Sequence, residues 1–190
     1  MNFPNQLTLG RLVLCAFFVA AFSLEIPYAM TAALFIFVAA SLTDWLDGHL
    51  ARKWNEVTDL GKLLDPLADK VLISAALIGL LRFHVVPMWM VVAIITREFL
   101  ITGLRTLAAG KGYIMEAEKL GKHKTISQIV AIIALLVIDA KNEWPSWLQN
   151  VLQGWSVPFT AIALWVTVVL TAASGLIYLW RNREIYLSDM

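Results

Sequence analysis

Six apolar stretches, at about 7–24, 29–51, 60–82, 87–108, 121–139 and 157–181, take up most of a 190-residue chain. Each is close to the roughly 20 apolar residues a helix needs to cross a bilayer. Little chain is left for anything outside the membrane. The pattern predicts an all-α integral membrane protein, a six-transmembrane-helix bundle forming one domain over residues 1–190, with a short N-terminal juxtamembrane segment. Composition agrees, since 59% of the residues are hydrophobic, against roughly 45–50% in soluble domains. A net charge of +1 and a single cysteine argue against a nucleic-acid binder and a disulfide scaffold.

The cations assign an orientation. With the N-terminus inside, Arg11, Arg52, Lys53, Lys62, Arg105, Lys111, Lys119, Lys122, Lys124, Arg181 and Arg183 fall on the cytoplasmic side. Arg82 and Lys141 face out, while Lys70 and Arg97 lie within spans. Positively charged loops are retained in the cytoplasm, so both termini are expected there. Trp144, Trp147 and Trp155 mark an outer interfacial segment. Residues 1–23 have the outline of a signal peptide, but five further spans make the first an anchor. Cys15 follows Leu14 rather than a small residue, so it is expected to be a buried filler rather than a lipidation site.

Charge enters the apolar spans at one place above all. The second stretch ends in Thr43-Asp44-Trp45-Leu46-Asp47-Gly48-His49-Leu50-Ala51-Arg52, and the third opens with Gly61-Lys62-Leu63-Leu64-Asp65-Pro66-Leu67-Ala68-Asp69-Lys70. Helix positions three, four, seven or eight apart share a face, which groups Asp44, Asp47, Gly48, Ala51 and Arg52, and likewise Gly61, Asp65, Ala68 and Asp69. Antiparallel neighbours joined by a short loop bring the four carboxylates together, with small residues leaving room for a ligand. Four bare carboxylates in one desolvated site repel one another, and two divalent cations balance them. Oxygen-only ligands select Mg²⁺ or Mn²⁺ over zinc. His49 falls off the shared face and is read as interfacial. Capping accounts for Thr58 or Asp59, either of which can start the third helix, but not for Asp44, Asp47, Asp65 and Asp69. An ion-coupled transporter also buries carboxylates, but usually near the midplane between repeats. Here they cluster within residues 44–69, and no repeat is visible.

Residues 44–69 read D-x2-D-G-x2-A-R-x8-G-x3-D-x3-D without departure, which resembles the signature of the CDP-alcohol phosphotransferase family. The likeness extends over nearly the whole chain. Pro4-Asn5-Gln6-Leu7-Thr8-Leu9-Gly10-Arg11, the stretch from Thr96-Arg97-Glu98 through Arg105, and Gly121-Lys122-His123-Lys124-Thr125 are similar to the bacterial branch that uses CDP-diacylglycerol as donor and glycerol 3-phosphate as acceptor. The resemblance implies a homodimer in the bacterial cytoplasmic (inner) membrane. It implies that Asp44 and Asp65 contact both metals, Asp47 the first and Asp69 the second, with Asp69 also the general base. It implies that Gly48, Arg52, Thr58 and Gly61 bind CDP-diacylglycerol. The signature alone leaves open another acceptor: serine, inositol phosphate or phosphatidylglycerol. A membrane prenyltransferase also pairs aspartate motifs over a diphosphate, but its motifs lie far apart in the chain.

An acceptor bearing its own phosphate calls for further cations, and Arg97, Arg105, Lys122 and Lys124 are the candidates. For the last three, the alternative is topogenic charge. Arg97 lies about 15 Å into the fourth span and needs a pocket or a partner. The alternative for Arg97 is an internal pair with a carboxylate such as Glu98 on a neighbouring helix, since adjacent residues of one helix are not expected to face each other. Thr171 and Gly175, four apart on the sixth span, permit close helix packing of the kind a dimer uses.

Overall fold

Backbone flanked by apolar side chains must satisfy its own N–H and C=O groups, and a helix does so within one segment. The structure, a computed structural model, describes residues 3–24, 26–54, 59–82, 86–113 and 119–187. Side chains are described over 8–24, 26–43, 67–68, 70–82, 86–113, 121 and 123–186. The described residues are all-helical, with no strand. The long elements are α1 (Phe3–Ser23), α2 (Ala29–Trp54), α3 (Asp59–Leu81), α4 (Met88–Gly110), α5 (Lys119–Ala140) and α7 (Ser156–Arg181). A 3-10 turn (Lys141–Glu143), α6 (Ser146–Leu152) and α8 (Arg183–Leu187) complete the order. Each apolar stretch of the sequence falls on one long helix. The expected N-terminal segment is continuous with α1, which already starts at Phe3, and the tryptophan-bearing segment after α5 contains a helix of its own, α6.

Two segments are long and apolar enough to cross a membrane, His123–Glu143 and Ser156–Arg181. The described apolar parts of α1, α2 and α3 are shorter, at Thr8–Ser23, Ala29–Thr43 and Lys70–Leu81. Helix α4 carries Arg97, Glu98 and Arg105 in its length. On α4 these three charges interrupt the apolar run.

Helix α1 packs on α2 and α3, α5 on α2, α3 and α7, and α4 on α7 and α3. The core runs through Phe18 and Phe37, whose ring centroids are 5.8 Å apart, with Leu72, Leu80, Ile94, Ile132, Leu135 and Leu136 around them. Cys15 is buried in this core, as expected of a filler. A Cβ on Gly79 would meet the Phe22 ring at 3.0 Å, so glycine lets α3 lie close to α1.

Polar ties fix one end of the bundle. Arg82 donates from Nη1 to the Phe22 carbonyl at 2.9 Å, joining the end of α3 to the end of α1. Glu143 accepts the Met30 N–H at 3.0 Å and the Thr31 N–H at 2.8 Å, capping the start of α2 from the turn after α5. Trp144 donates from Nε1 to the Thr31 hydroxyl at 2.9 Å. A carboxylate there satisfies two orphan donors and meets the positive end of the helix dipole. It follows that the end of α2 and the starts of α3 and α5 gather at the opposite end. At that end α4 stops in a glycine cap: Gly112 takes φ +77°, and Tyr113 N–H donates back to the Ala108 carbonyl at 2.9 Å. Lys111 then ties α4 to α8 by donating to the Ile185 carbonyl at 2.8 Å.

Candidate active site

Helix α2 turns a continuous stripe inward. Ala33, Phe37 and Ala40 are fully buried, spaced by four and three. The same spacing continues along the helix to positions 44, 47 and 51. On α3 the buried stripe is Ala68, Leu72 and Ala76, and positions 61, 65 and 69 share its register. The helical backbone therefore puts all four aspartate positions in line with inward stripes of two neighbouring helices, at the end of the bundle where α2 finishes and α3 begins. The side chains of Asp44, Asp47, Gly48, Arg52, Gly61, Asp65 and Asp69, and that of His49, lie outside the described residues, as does the whole of Thr58. Among the described residues there is no group of three or more His, Cys, Asp or Glu that could hold a metal. Aspartates at four positions in inward register are residues of the type that suits hard divalent cations.

A second polar group sits where α4, α5 and α7 meet. Lys124 on α5 is buried and donates to Glu98 Oε1. The same oxygen accepts from Arg97 Nη1 at 3.4 Å. Arg97 also donates from Nη2 to the Ser174 hydroxyl at 3.1 Å, and Ser174 donates to the Thr171 carbonyl. Side-chain exposure is 14% for Arg97, 12% for Glu98 and 4% for Lys124, so this charge is held largely away from solvent. Arg97 Nε is buried with no hydrogen-bond partner. Two helical turns on, about 12 Å along α4, exposed Arg105 donates from Nε to the Tyr178 hydroxyl at 2.9 Å and lies over its ring, 5.4 Å from the centroid.

Of the four cations expected to meet the acceptor phosphate, the structure brings Arg97 and Lys124 to one point and stations Arg105 further along α4. The Lys122 side chain lies outside the described residues. One expectation is overturned. Arg97 does pair with its neighbour Glu98, because both long side chains reach the point where Lys124 arrives from α5. Spacing rules for one helix do not foresee a third group from another. The Thr171–Gly175 step is also used within the chain: a Cβ on Gly175 would meet Arg97 Cγ at 2.9 Å, so the missing side chain is the space Arg97 occupies. Glu98, Ser174 and Tyr178 were not among the site residues read from the sequence. A carboxylate beside an arginine deep in an apolar span was the available signal for Glu98.

The family model for CDP-alcohol phosphatidyltransferases matches residues 1–181. CDP-diacylglycerol–glycerol-3-phosphate 3-phosphatidyltransferase of Bacillus subtilis (strain 168) is 46% identical over 195 residues, covering 96% of each chain. The protein of the same name from Escherichia coli (strain K12) is 40% identical over 188 residues, covering 96% of this chain and 95% of that one. With a family match over almost the entire length and relatives this similar along both chains, the protein belongs to the CDP-alcohol phosphatidyltransferase family.

Proposed function

We propose that this chain transfers the phosphatidyl group from CDP-diacylglycerol to sn-glycerol 3-phosphate, giving phosphatidylglycerol phosphate and CMP. The relatives that carry this activity in their names match along nearly all of both chains. The observation that carries the reading structurally is the meeting of Arg97 and Lys124 on one carboxylate, on helices that pack against those bearing the aspartates. An acceptor with its own phosphate needs such cations; serine and inositol do not.

Asp44, Asp47, Asp65 and Asp69 would hold two divalent cations, Mg²⁺ or Mn²⁺, with Asp44 and Asp65 shared between them. When bound, such a pair clamps a pyrophosphate and neutralises the charge that grows on the leaving group. Asp69 takes the proton from the acceptor hydroxyl. The acceptor oxygen bonds to the β-phosphorus of the donor while the bond to the CMP oxygen breaks, roughly in line. Gly48 and Gly61 let the nucleotide approach the helices closely, Arg52 contacts its phosphate, and Thr58 completes the nucleotide contacts. Arg97, Arg105, Lys122 and Lys124 receive the acceptor phosphate.

The same reading sets the protein in the bacterial cytoplasmic membrane as a six-span, multi-pass homodimer with both termini and the site on the cytoplasmic side. Its support is the positive-inside distribution of charge and an apolar exterior: Phe17 on α1, Phe35 on α2, and Ile162, Leu176 and Trp180 on α7 are exposed. Acyl chains of the donor then stay in the bilayer while its headgroup meets the site. The test is stoichiometry. Purified protein with CDP-diacylglycerol, glycerol 3-phosphate and Mg²⁺ should release CMP and phosphorylated product lipid one to one. Release of pyrophosphate, or none of CMP, overturns the assignment.

A further inference from the structure

From the contacts of Glu98 we infer that it is a positioning residue for the acceptor: its carboxylate draws Arg97 of α4 and Lys124 of α5 to a single point and so builds the phosphate pocket before the phosphate arrives. This inference rests on the acceptor pocket proposed above. Two cations brought this close repel one another, and the repulsion is strongest where solvent is scarce. Lys124 is buried, and Arg97 and Glu98 are nearly so. Oxygen Oε1 of Glu98 takes both cations, which offsets that repulsion with one negative charge. The three groups together keep a surplus of one positive charge, the sign a phosphate dianion requires. Arg97 is fixed from its other side by Ser174 and by the space over Gly175. Its buried Nε donates to nothing, so the guanidinium retains a donor that the chain itself leaves unused. Among the described residues Glu98 is the group that touches both helices' cations, and its removal takes away that shared contact without removing either cation.

A residue acting in this way moves acceptor affinity, not donor affinity. Glu98→Gln should raise the acceptor KM about tenfold, the order expected for one misplaced charge-assisted contact, and leave the KM for CDP-diacylglycerol within about twofold. Lys124→Met should raise the acceptor KM by a similar factor. The double variant should fall well short of the product of the two single effects, because Glu98 acts partly through Lys124. Glu98→Asp keeps the charge on a shorter stem and should lie between parent and Glu98→Gln. It also decides the question if the Gln variant misfolds: a raised acceptor KM with unchanged donor KM supports the inference, and a parent-like acceptor KM overturns it. If Lys124→Met raises the acceptor KM but Glu98→Gln does not, or if the two effects multiply fully, Glu98 does not position the pocket while the pocket itself stands. If Lys124→Met and Arg97→Met both leave the acceptor KM at the parent value, the pocket is wrong and this inference falls with it.

Discussion

Substituting Gly175 tests whether helix α7 sets the place of Arg97. A Cβ at this position would stand 2.9 Å from Arg97 Cγ, a separation that real Cβ atoms do not tolerate. The obstacle is the middle of the arginine stem, so Arg97 must swing as a whole. Swinging breaks the bond from Nη2 to Ser174 at 3.1 Å and lengthens an already long contact to Glu98 at 3.4 Å. A hydrogen bond to a charged group contributes about 1.5–3 kcal/mol, and the longer contact adds little. Replacing a helical glycine by alanine returns about 0.5–1 kcal/mol of backbone entropy. Gly175→Ala should therefore cost only about 1–2 kcal/mol of stability, whereas Gly175→Val, with two further methyl groups, should cost more. The functional effect is separable from the loss of stability: both variants should raise the acceptor KM, Val by roughly 10-fold or more, with the donor KM little changed. The assay is CMP release across glycerol 3-phosphate concentrations in detergent-solubilised protein, beside a thermal unfolding curve. A Gly175→Val protein with the parent's acceptor KM would refute the claim that Arg97 is placed by the gap on α7.

Three further outcomes follow from the same geometry. Chelation should abolish CMP release and Mg²⁺ or Mn²⁺ restore it, and Asp44→Asn or Asp65→Asn should remove activity that added metal does not rescue; full turnover in chelator contradicts the role given to the four carboxylates. Asp69→Asn should bind donor yet slow the chemical step by roughly 10²-fold or more, as read in single-turnover kinetics; parent-like turnover would assign the proton to another group. Glu143→Ala removes the cap shared by Met30 and Thr31 and should destabilise the protein by about 2 kcal/mol with little change in either KM, since it acts at the end of the bundle away from the site.

The amount legible in the sequence differs between the two halves of the site. The common face of positions 44 and 47, and of 65 and 69, is legible because spacing on a single helix decides which residues share a face, and each pair lies on one helix. Their register agrees with the buried stripes of Ala33, Phe37 and Ala40, and of Ala68, Leu72 and Ala76. The group around Arg97 is of another kind. It is assembled from Glu98 on α4, Lys124 on α5 and Ser174 on α7, residues tens of positions apart, and periodicity within one helix says nothing about which of them meet. Gly175 was visible as a small residue, but whether its gap takes a second chain or an arginine of the same chain depends on how α4 crosses α7. Glu143 is similar: it caps a helix that begins more than a hundred residues earlier, and local capping rules look only at the residues beside the helix start.

A site built as proposed reads a phosphate on its acceptor. The most direct measurement of this is CMP release from CDP-diacylglycerol and Mg²⁺ with one acceptor at a time: glycerol 3-phosphate, glycerol, serine, inositol, inositol phosphate and phosphatidylglycerol. Turnover should be efficient with glycerol 3-phosphate and fall at least about 10²-fold in kcat/KM with glycerol, which lacks the phosphate that Arg97 and Lys124 would receive. Equal turnover of glycerol and glycerol 3-phosphate, or a preference for serine or inositol, would contradict it.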